Sequence, residues 1–181
     1  MIGVLVSGNG TNLQALLDAG LPIVAVASNR KDAYALQRAR EAGVPTATFS
    51  MDCHADRVER DLVMATWLEE HGVELVVTAG YMHLLTKPFL ARFPRIVNTH
   101  SAPLPAFPGA HPIEDVLAAG VSETAATVHY VDDGIDTGAV IRAEAVPVLP
   151  GDTAETLRAR VQAVEHRLLP EVVRDLCLAA R

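Results

Sequence analysis

The stretch IGVLVSGNGTNLQALLD, residues 2–18, decides the fold. Its apolar run Ile2–Val6 is typical of a strand buried on both faces of a parallel sheet. Glycines and asparagines follow at residues 8–12 and indicate a tight turn. Thr11–Asp18 then carries leucines at helical spacing. A strand, a tight turn and a helix in this order form the repeating unit of an α/β protein.

The same order of elements continues towards residue 100. The pattern predicts helices over Ala33–Ala42 and Ala55–Glu70, and strands over Ile23–Ala27, Ala47–Phe49, Leu75–Thr78 and Ile96–Thr99. Beyond them, the β-rich segments Ala125–Val131 and Ala139–Val148 flank an acidic turn, which indicates an antiparallel addition. We therefore predict a single α/β domain over residues 1–181. Its sheet is mostly parallel and doubly wound (Rossmann-like), with an antiparallel C-terminal addition.

The last predicted helix opens at Asp152-Thr-Ala-Glu155, a pattern similar to a capping box. Proline lacks the N–H that a helix interior needs, and its ring clashes with the preceding turn. We therefore expect Pro170 to kink or interrupt this helix.

Composition excludes several classes of function. Half of the 181 residues are hydrophobic, as in an ordinary globular protein. The net charge of −7 argues against a nucleic-acid partner, whose phosphates call for Lys and Arg. No apolar run approaches the roughly 20 residues that span a bilayer, and the start lacks the basic region of a signal peptide. We expect a cytoplasmic protein with small-molecule partners and no membrane partner.

Metal chemistry is not expected. Cys53 and Cys177 form no metal-binding pair, and the histidines show none of the spacings of zinc sites. The acidic turn Asp132–Gly138 lacks the ligand spacing of a calcium loop.

The glycine-rich turn at residues 8–12 is the first candidate site. Backbone N–H groups at the start of the following helix could bind a phosphate. Leu13 stands where a dinucleotide fingerprint needs a third glycine, and Ser28 and Asn29 stand where it needs an acid. The lysine of a P-loop is also absent. The alternative is an ordinary strand–helix turn, and the local sequence does not choose between the two.

Asn98 and His100 form the second candidate site. Residues two apart on a strand project from the same face, and open α/β sheets bind ligands at the carboxyl ends of their strands. An amide and an imidazole placed there could stabilise an oxyanion. One aspartate of the turn Asp132–Gly138 could reach His100 and favour its charged form. The alternative is a polar pair that satisfies the adjoining loop. His129, in mid-strand, is expected to be a satisfied core histidine or to line the site.

The loop Ser101–Gly109 joins the second site. It carries Pro103, Pro105 and Pro108, and proline restricts the backbone, so the loop is stiff and extended. This favours a preorganised wall of the site, with a protein-docking polyproline segment as the alternative.

Several segments, taken in order, resemble the phosphoribosylglycinamide formyltransferase family of folate-dependent enzymes, over nearly the whole chain. They are SGNGTN (7–12), AGYMHLL (79–85), NTH (98–100), LPAFPGAH (104–111), TVH (127–129), DTG (136–138) and QAVE (162–165). The family usually reads His-Pro-Ser-Leu-Leu-Pro where this chain has His100-Ser-Ala-Pro-Leu-Pro105, so the path of that loop is an open question.

The resemblance implies that the chain transfers the formyl group of its cosubstrate, 10-formyltetrahydrofolate, to the amine of 5′-phosphoribosylglycinamide in purine biosynthesis. The amine attacks directly. Asn98 and a protonated His100 stabilise the oxyanion, while Asp136 favours the protonated imidazole and relays protons through a water. The implied phosphate-binding residues are Gly10, Thr11, Asn12, Gln162 and Glu165. The implied folate-binding residues are Arg57, Tyr81, Met82, His83, Leu84, Leu85, Asn98, Asp132, Asp133, Gly134, Ile135 and Asp136.

Other functions remain as alternatives. A hydrolase of 10-formyltetrahydrofolate would share Asn98, His100 and Asp136, but it usually carries an N-terminal regulatory domain. A methionyl-tRNA formyltransferase would need an RNA-binding domain and a more basic surface. A sugar-nucleotide formyltransferase is the least excluded relative, and a non-catalytic folate- or nucleotide-binding module is the alternative from another class. The sequence does not choose between a monomer and a homodimer.

Overall fold

The computed structural model describes residues 1–179, and within them it contains seven strands and six α-helices. The strands are β1 (Ile2–Val6), β2 (Ile23–Ser28), β3 (Thr46–Thr48), β4 (Leu75–Thr78), β5 (Ile96–His100), β6 (Glu123–Tyr130) and β7 (Val140–Pro147). The helices are α1 (Thr11–Asp18), α2 (Tyr34–Glu41), α3 (Arg57–Glu70), α4 (Lys87–Arg92), α5 (Pro112–Ala119) and α6 (Ala154–Leu178). A short 3₁₀ turn spans Met51–Cys53.

The chain divides into two compact units, residues 1–97 and the residues from Asn98 onward. In the first unit β1 runs parallel to both β2 and β4, with Val4 opposite Val26 and Val77. β2 in turn runs parallel to β3. Every residue of β1 is buried, as the central strand of a parallel sheet must be when both faces are covered. The predicted parallel strands are therefore confirmed.

In the second unit β6 and β7 form an antiparallel pair, with Thr127 opposite Ala143 and a bulge between Val128 and His129. Helix α6 packs on both strands. The strand order is β3-β2-β1-β4-β5-β6-β7, and β5 crosses the boundary between the units. The predicted mostly parallel sheet with an antiparallel addition is confirmed. The prediction of one domain over residues 1–181 stays a prediction.

Two details of α6 differ from the expectation: Pro170 does not interrupt the helix, and the capping box begins one residue later. The helix runs unbroken from Ala154 to Leu178 through Pro170. Pro170 is buried, and the tertiary packing of the buried helix face outweighs the one hydrogen bond that proline cannot donate. The capping box is formed by Thr153 and Thr156 rather than by Asp152 and Glu155. The Thr156 hydroxyl accepts the N–H of Thr153 and takes the place of the expected carboxylate.

The sequence analysis assigned no helix to α4 or α5, although both carry proline in their first turn. Proline is well tolerated there, because the first N–H groups of a helix have no partner within it. These two helices are short, so their periodicity is weak. Among residues 1–179 no helix is long and apolar enough to cross a bilayer.

Candidate active site

Three residues expected to be catalytic lie together in the second unit. Asn98 and His100 belong to β5, and Asp136 lies in the turn between β6 and β7. The Nδ1 atom of His100 is 3.5 Å from Oδ2 of Asp136, and both side chains are largely buried, at 6% and 14% exposed. The expectation that an aspartate of this turn reaches His100 agrees with this geometry.

Both ring nitrogens of His100 face acceptors. Nε2 donates to the carbonyl of Phe107 at 2.7 Å, and Nδ1 faces the carboxylate of Asp136. An Nδ1–H group on this ring would point towards the Asp136 carboxylate. The 3.5 Å separation from Asp136 is longer than a hydrogen bond. The Nδ1–H group can therefore still donate to another oxygen.

His129 joins these residues, and its role was left open by the sequence. It is 2% exposed, and its Nδ1–H donates to the carbonyl of Tyr130 at 2.8 Å. Its Nε2 atom accepts from the amide of Asn98 at 3.2 Å and lies 3.6 Å from Oδ1 of Asp136. Burial lowers the pKa of His129, which keeps the ring neutral and Nε2 an acceptor. The contact turns the NH₂ group of Asn98 towards His129.

The turn that carries Asp136 is tightly built. Asp136 has a φ of 53°, in the left-handed region, and its Oδ2 accepts the N–H of Gly109 at 2.8 Å. A Cβ atom on Gly138 would lie 1.8 Å from the carbonyl oxygen of Tyr130. The close approach of Gly138 to the Tyr130 carbonyl therefore helps to fix the backbone conformation around Asp136.

The other residues of this turn were expected to bind folate. Asp132 accepts hydrogen bonds from Thr137 Oγ1 at 2.6 Å and from Gly134 N–H at 3.0 Å. The bond from Thr137 holds the pKa of Asp132 below its usual value. Asp133 and Ile135 are exposed. Asp132 thus holds the turn closed while Ile135 presents an apolar side chain to solvent.

The loop after His100 departs from the family pattern and takes a defined path. The carbonyl of Ala102 accepts from Thr127 Oγ1 at 2.7 Å, and the Leu104–Pro105 peptide bond is cis. Ser101, at the position of the family's proline, donates its hydroxyl to Glu165 Oε1 at 2.6 Å. This departure leaves the positions of Asn98, His100 and Asp136 as expected.

Helix α6 contributes the two residues expected at the nucleotide. Glu165 lies on the buried face of the helix and is 4% exposed, although a carboxylate is costly to bury without partners. Ser101 supplies one of those partners. Gln162, one turn earlier, is partly exposed.

The glycine-rich turn lies in the first unit. Gly10 is the N-cap of α1 with a φ of 72°, and no side chain caps the helix. A Cβ atom on Gly10 would lie 2.4 Å from that of Ala35. Arg38 Nε donates to the carbonyl of Asn9 at 2.8 Å, so α2 holds the turn in place. Turn geometry alone accounts for Gly10, and phosphate binding by Gly10, Thr11 and Asn12 stays a prediction.

The segment Tyr81–Leu85, expected to line a pterin pocket, lies beside this turn. The N–H of Ser7 donates to the carbonyl of Gly80 at 3.2 Å, and Ser7 Oγ accepts the N–H of Met82 at 3.0 Å. Met82 is 66% and Leu84 50% exposed. Two large apolar side chains on a fixed backbone provide the kind of surface that a flat heterocycle can cover.

Helix α3 approaches the same segment. Arg57 Nη2 donates to the carbonyl of Leu84 at 2.6 Å, so this residue, expected to bind folate, contacts the segment itself. Burial raises the pKa of Tyr81 to about 12. It lowers the pKa of His83, with Arg60 as the next cause.

Arg60 and Asp61 were missed by the sequence analysis. Both side chains are fully buried and paired, with Arg60 Nη2 2.6 Å from Asp61 Oδ1. No local signal could have found them, because charged residues on an amphipathic helix usually mark its solvent face. Among residues 1–179 no group of three or more His, Cys, Asp or Glu side chains could hold a metal ion.

Comparison with known proteins gives a consistent result. Residues 1–173 match the model of the formyl transferase family. The phosphoribosylglycinamide formyltransferase of Mycobacterium tuberculosis is 45% identical over 179 residues, which cover 96% of this chain and 83% of that protein. The solved structure of glycinamide ribonucleotide transformylase 1 from Symbiobacterium toebii matches with a TM-score of 0.94 and 47% identity, covering 96% of this chain and 85% of that one.

Longer relatives also match. The trifunctional purine biosynthetic protein adenosine-3 of Drosophila pseudoobscura pseudoobscura is 41% identical over 99% of this chain. The chain spans only 14% of the length of that protein.

Proposed function

The chain belongs to the formyl transferase family, and from this premise we propose that it transfers the formyl group of 10-formyltetrahydrofolate to the amine of 5′-phosphoribosylglycinamide. The products are N-formyl-phosphoribosylglycinamide and tetrahydrofolate, in a step of de novo purine (IMP) biosynthesis. The observation that carries the proposal is the cluster of Asn98, His100 and Asp136, supported by relatives that bear this activity in their names.

The reaction begins with attack of the substrate amine on the formyl carbon. A carbon–nitrogen bond forms, and the formyl oxygen gains negative charge in a tetrahedral intermediate. Asn98 and His100 offer an amide N–H and an imidazolium N–H to this oxygen, which is the arrangement of an oxyanion hole. The bond from the carbon to N10 of the folate then breaks and regenerates the carbonyl.

The proton balance involves Asp136. The attacking amine must lose a proton, and the departing N10 must gain one. Asp136 lies 3.5 Å from His100, favours its protonated form and can hold a water that passes the proton from one nitrogen to the other. The whole transfer therefore needs only side chains and a water.

The binding residues follow from their chemistry. The N–H groups of Gly10, Thr11 and Asn12 at the start of α1 suit a phosphate, and Gln162 and Glu165 offer polar groups to the phosphoribosyl part. Met82, Leu84 and Ile135 offer apolar surface, while backbone groups around Tyr81, His83, Leu85 and residues 132–136 offer hydrogen bonds to the pterin. Arg57 is placed near the folate through its contact with Leu84. We also propose that this protein acts in the cytoplasm.

The test is formyl transfer measured as formation of the deformylated folate, with and without the nucleotide. We expect product only when phosphoribosylglycinamide is present. Folate deformylation without the nucleotide would instead show a hydrolase. Transfer to an amino-sugar nucleotide, with none to phosphoribosylglycinamide, would show a sugar-nucleotide formyltransferase. Tight folate binding with no reaction would leave a binding module.

A further inference from the structure

We propose that Arg60, together with Asp61, is a positioning residue that holds the segment 81–86 in its ligand-binding conformation through His83. The inference rests on the proposed function, because residues 81–85 of this segment are the proposed lining of the folate pocket. Arg60 belongs to none of the motifs discussed above, and its role would be to act on the segment and not on the folate.

One face of α3 anchors the segment at three successive points. Arg57 donates to the carbonyl of Leu84 at 2.6 Å. Arg60 Nη1 donates to Nδ1 of His83 at 2.6 Å. Asp61 Oδ2 accepts the N–H of Thr86 at 2.8 Å. Residues 57, 60 and 61 share one face of a helix because they are three and four positions apart. The anchors therefore act as a set.

The burial of the Arg60–Asp61 pair supports this role. Nε and Nη2 of Arg60 both donate to Asp61 Oδ1, at 3.0 and 2.6 Å, and neither side chain has any exposed surface. The cost of removing two charges from water is offset only when the remaining donors and acceptors of the pair are also hydrogen-bonded. Apolar residues of similar size often stabilise a buried position equally well. Here the remaining bonds go to His83 and Thr86. These bonds to the segment are what the charged pair supplies and apolar residues could not.

The anchors determine which side chains of the segment face outwards. His83 and Leu85 face the protein, whereas Met82 and Leu84 are 66% and 50% exposed. Exposed apolar side chains on an unanchored loop would collapse onto neighbouring surface. A segment that is already ordered loses little conformational entropy when a ligand binds. Removal of the Arg60 anchor should therefore weaken folate binding without changing the reacting groups.

The contact requires a neutral His83. Arginine can only donate, so Nδ1 of His83 must accept. Burial lowers the pKa of His83, and the nearby Arg60 and Arg57 lower it further, against an opposing effect of Asp61. The ring of Tyr81 also packs near it, with centroids 6.0 Å apart. Protonation of His83 converts Nδ1 to a donor and breaks the anchor, so folate binding should weaken as the pH falls.

The first experiment compares Arg60→Gln with a matched control, Arg92→Gln. Arg92 also binds α3, through Glu69 and the carbonyl of Leu62, but its hydrogen bonds involve no residue of the segment. We expect Arg60→Gln to raise the KM for 10-formyltetrahydrofolate by about tenfold or more, since small displacements of binding groups have effects of this size. The kcat and the KM for the nucleotide should change little. The control should keep the KM for the folate near that of the parent. Equal effects of both variants on this KM would overturn the proposal.

Two further measurements cover other outcomes. Amide hydrogen exchange across residues 80–86, without ligands, should be faster in Arg60→Gln than in Arg92→Gln. Equal rates would overturn the proposal even if the parent chain transferred no formyl group.

The variant His83→Asn tests the pH dependence. Asn at position 83 retains an acceptor but cannot be protonated. The KM for the folate should therefore rise in acid in the parent and stay flat in His83→Asn. The same acid rise in both proteins would also count against the proposal.

Discussion

At the scale of single residues, the proposed chemistry depends on the contacts among four polar side chains, Asn98, His100, His129 and Asp136. His129 is held neutral by burial, and its acceptor atom orients the amide of Asn98. His100 faces an oxygen at each ring nitrogen. The two histidines thus face different groups: a carbonyl and the Asn98 amide at His129, and a carbonyl and the Asp136 carboxylate at His100.

The oxyanion assignment gives the first prediction. Asn98→Ala and His100→Ala should each lower kcat by about 10²- to 10³-fold, which is the usual loss when one oxyanion donor is removed. Steady-state formyl transfer measures this loss, and circular dichroism checks that the fold is kept. His71→Ala is a suitable control, since His71 bonds the carbonyl of Trp67 at the end of α3. Near-normal turnover in either variant would remove that residue from the mechanism.

Burial of His129 predicts a pH dependence of stability. Its pKa in the folded protein lies below the ordinary value near 6.5. Between the two values the unfolded chain binds more protons, so the free energy of unfolding falls as the pH is lowered. The contribution of His129 to the free energy of unfolding is fully present above about pH 6.5, and it is lost as the pH falls towards the lowered pKa.

His129→Gln keeps a polar group but cannot be protonated, so it should make the loss of stability in acid less steep. Urea unfolding of both proteins at about pH 7.5 and about pH 5.5, on either side of the ordinary histidine pKa, measures the difference. His83, whose pKa is also lowered, should leave a residual slope in the variant. An unchanged slope would show that His129 titrates in the folded protein as it does in the unfolded chain.

At the scale of elements, the turn between β1 and α1 shows how close packing requires a glycine at one position. Gly10 adopts a φ of 72°, and α2 approaches so closely that no side chain fits. Gly8, two residues earlier, has open space around its Cα, and its φ is ordinary.

Gly10→Ala should therefore lower the free energy of unfolding by about 2–5 kcal/mol. This sum combines about 1–2 kcal/mol for a left-handed alanine and about 1–3 kcal/mol for overpacking against Ala35. Gly8→Ala is the matched control and should change stability by less than about 1 kcal/mol. Urea denaturation measures both variants. Equal stability of the two would mean that α2 moves away from the turn at little cost.

At the scale of the whole molecule, the two compact units are joined within a strand and not through a linker. The boundary falls between Val97 and Asn98, inside β5. Contiguous backbone hydrogen bonds within one strand tend to open together as a cooperative unit. We therefore propose that the chain behaves as one cooperative domain.

This proposal predicts a single unfolding transition. Trp67, the only tryptophan of the chain, lies in the first unit beside Phe49 and His71. Its fluorescence should follow the same urea curve as far-ultraviolet circular dichroism, which reports the helices and strands of both units. Coincident curves are the usual sign of two-state unfolding. Curves with separate midpoints would show that the units unfold independently.

Local periodicity was enough to predict much of the fold. The buried run Ile2–Val6, the glycine turn and the helix after it are each recognisable within a few residues, because strands, turns and helices depend on short-range spacing. The same reasoning placed Asn98 and His100 on one face of a strand. The short helices α4 and α5 escaped it, since each offers too few turns for a periodic signal.

By itself, the sequence determined the order of the strands and of the helices other than α4 and α5, and it gave the resemblance that named the residues expected to react. Only the tertiary structure decided that Asp136 lies beside His100, that His129 orients Asn98, and that Arg60 and Asp61 are buried beneath the segment 81–86. It also decided that α6 continues through Pro170. The physical reason is that each of these outcomes depends on contacts between residues distant in the chain. Such contacts can bury a charge or a proline that local propensity would place at the surface or at a helix end.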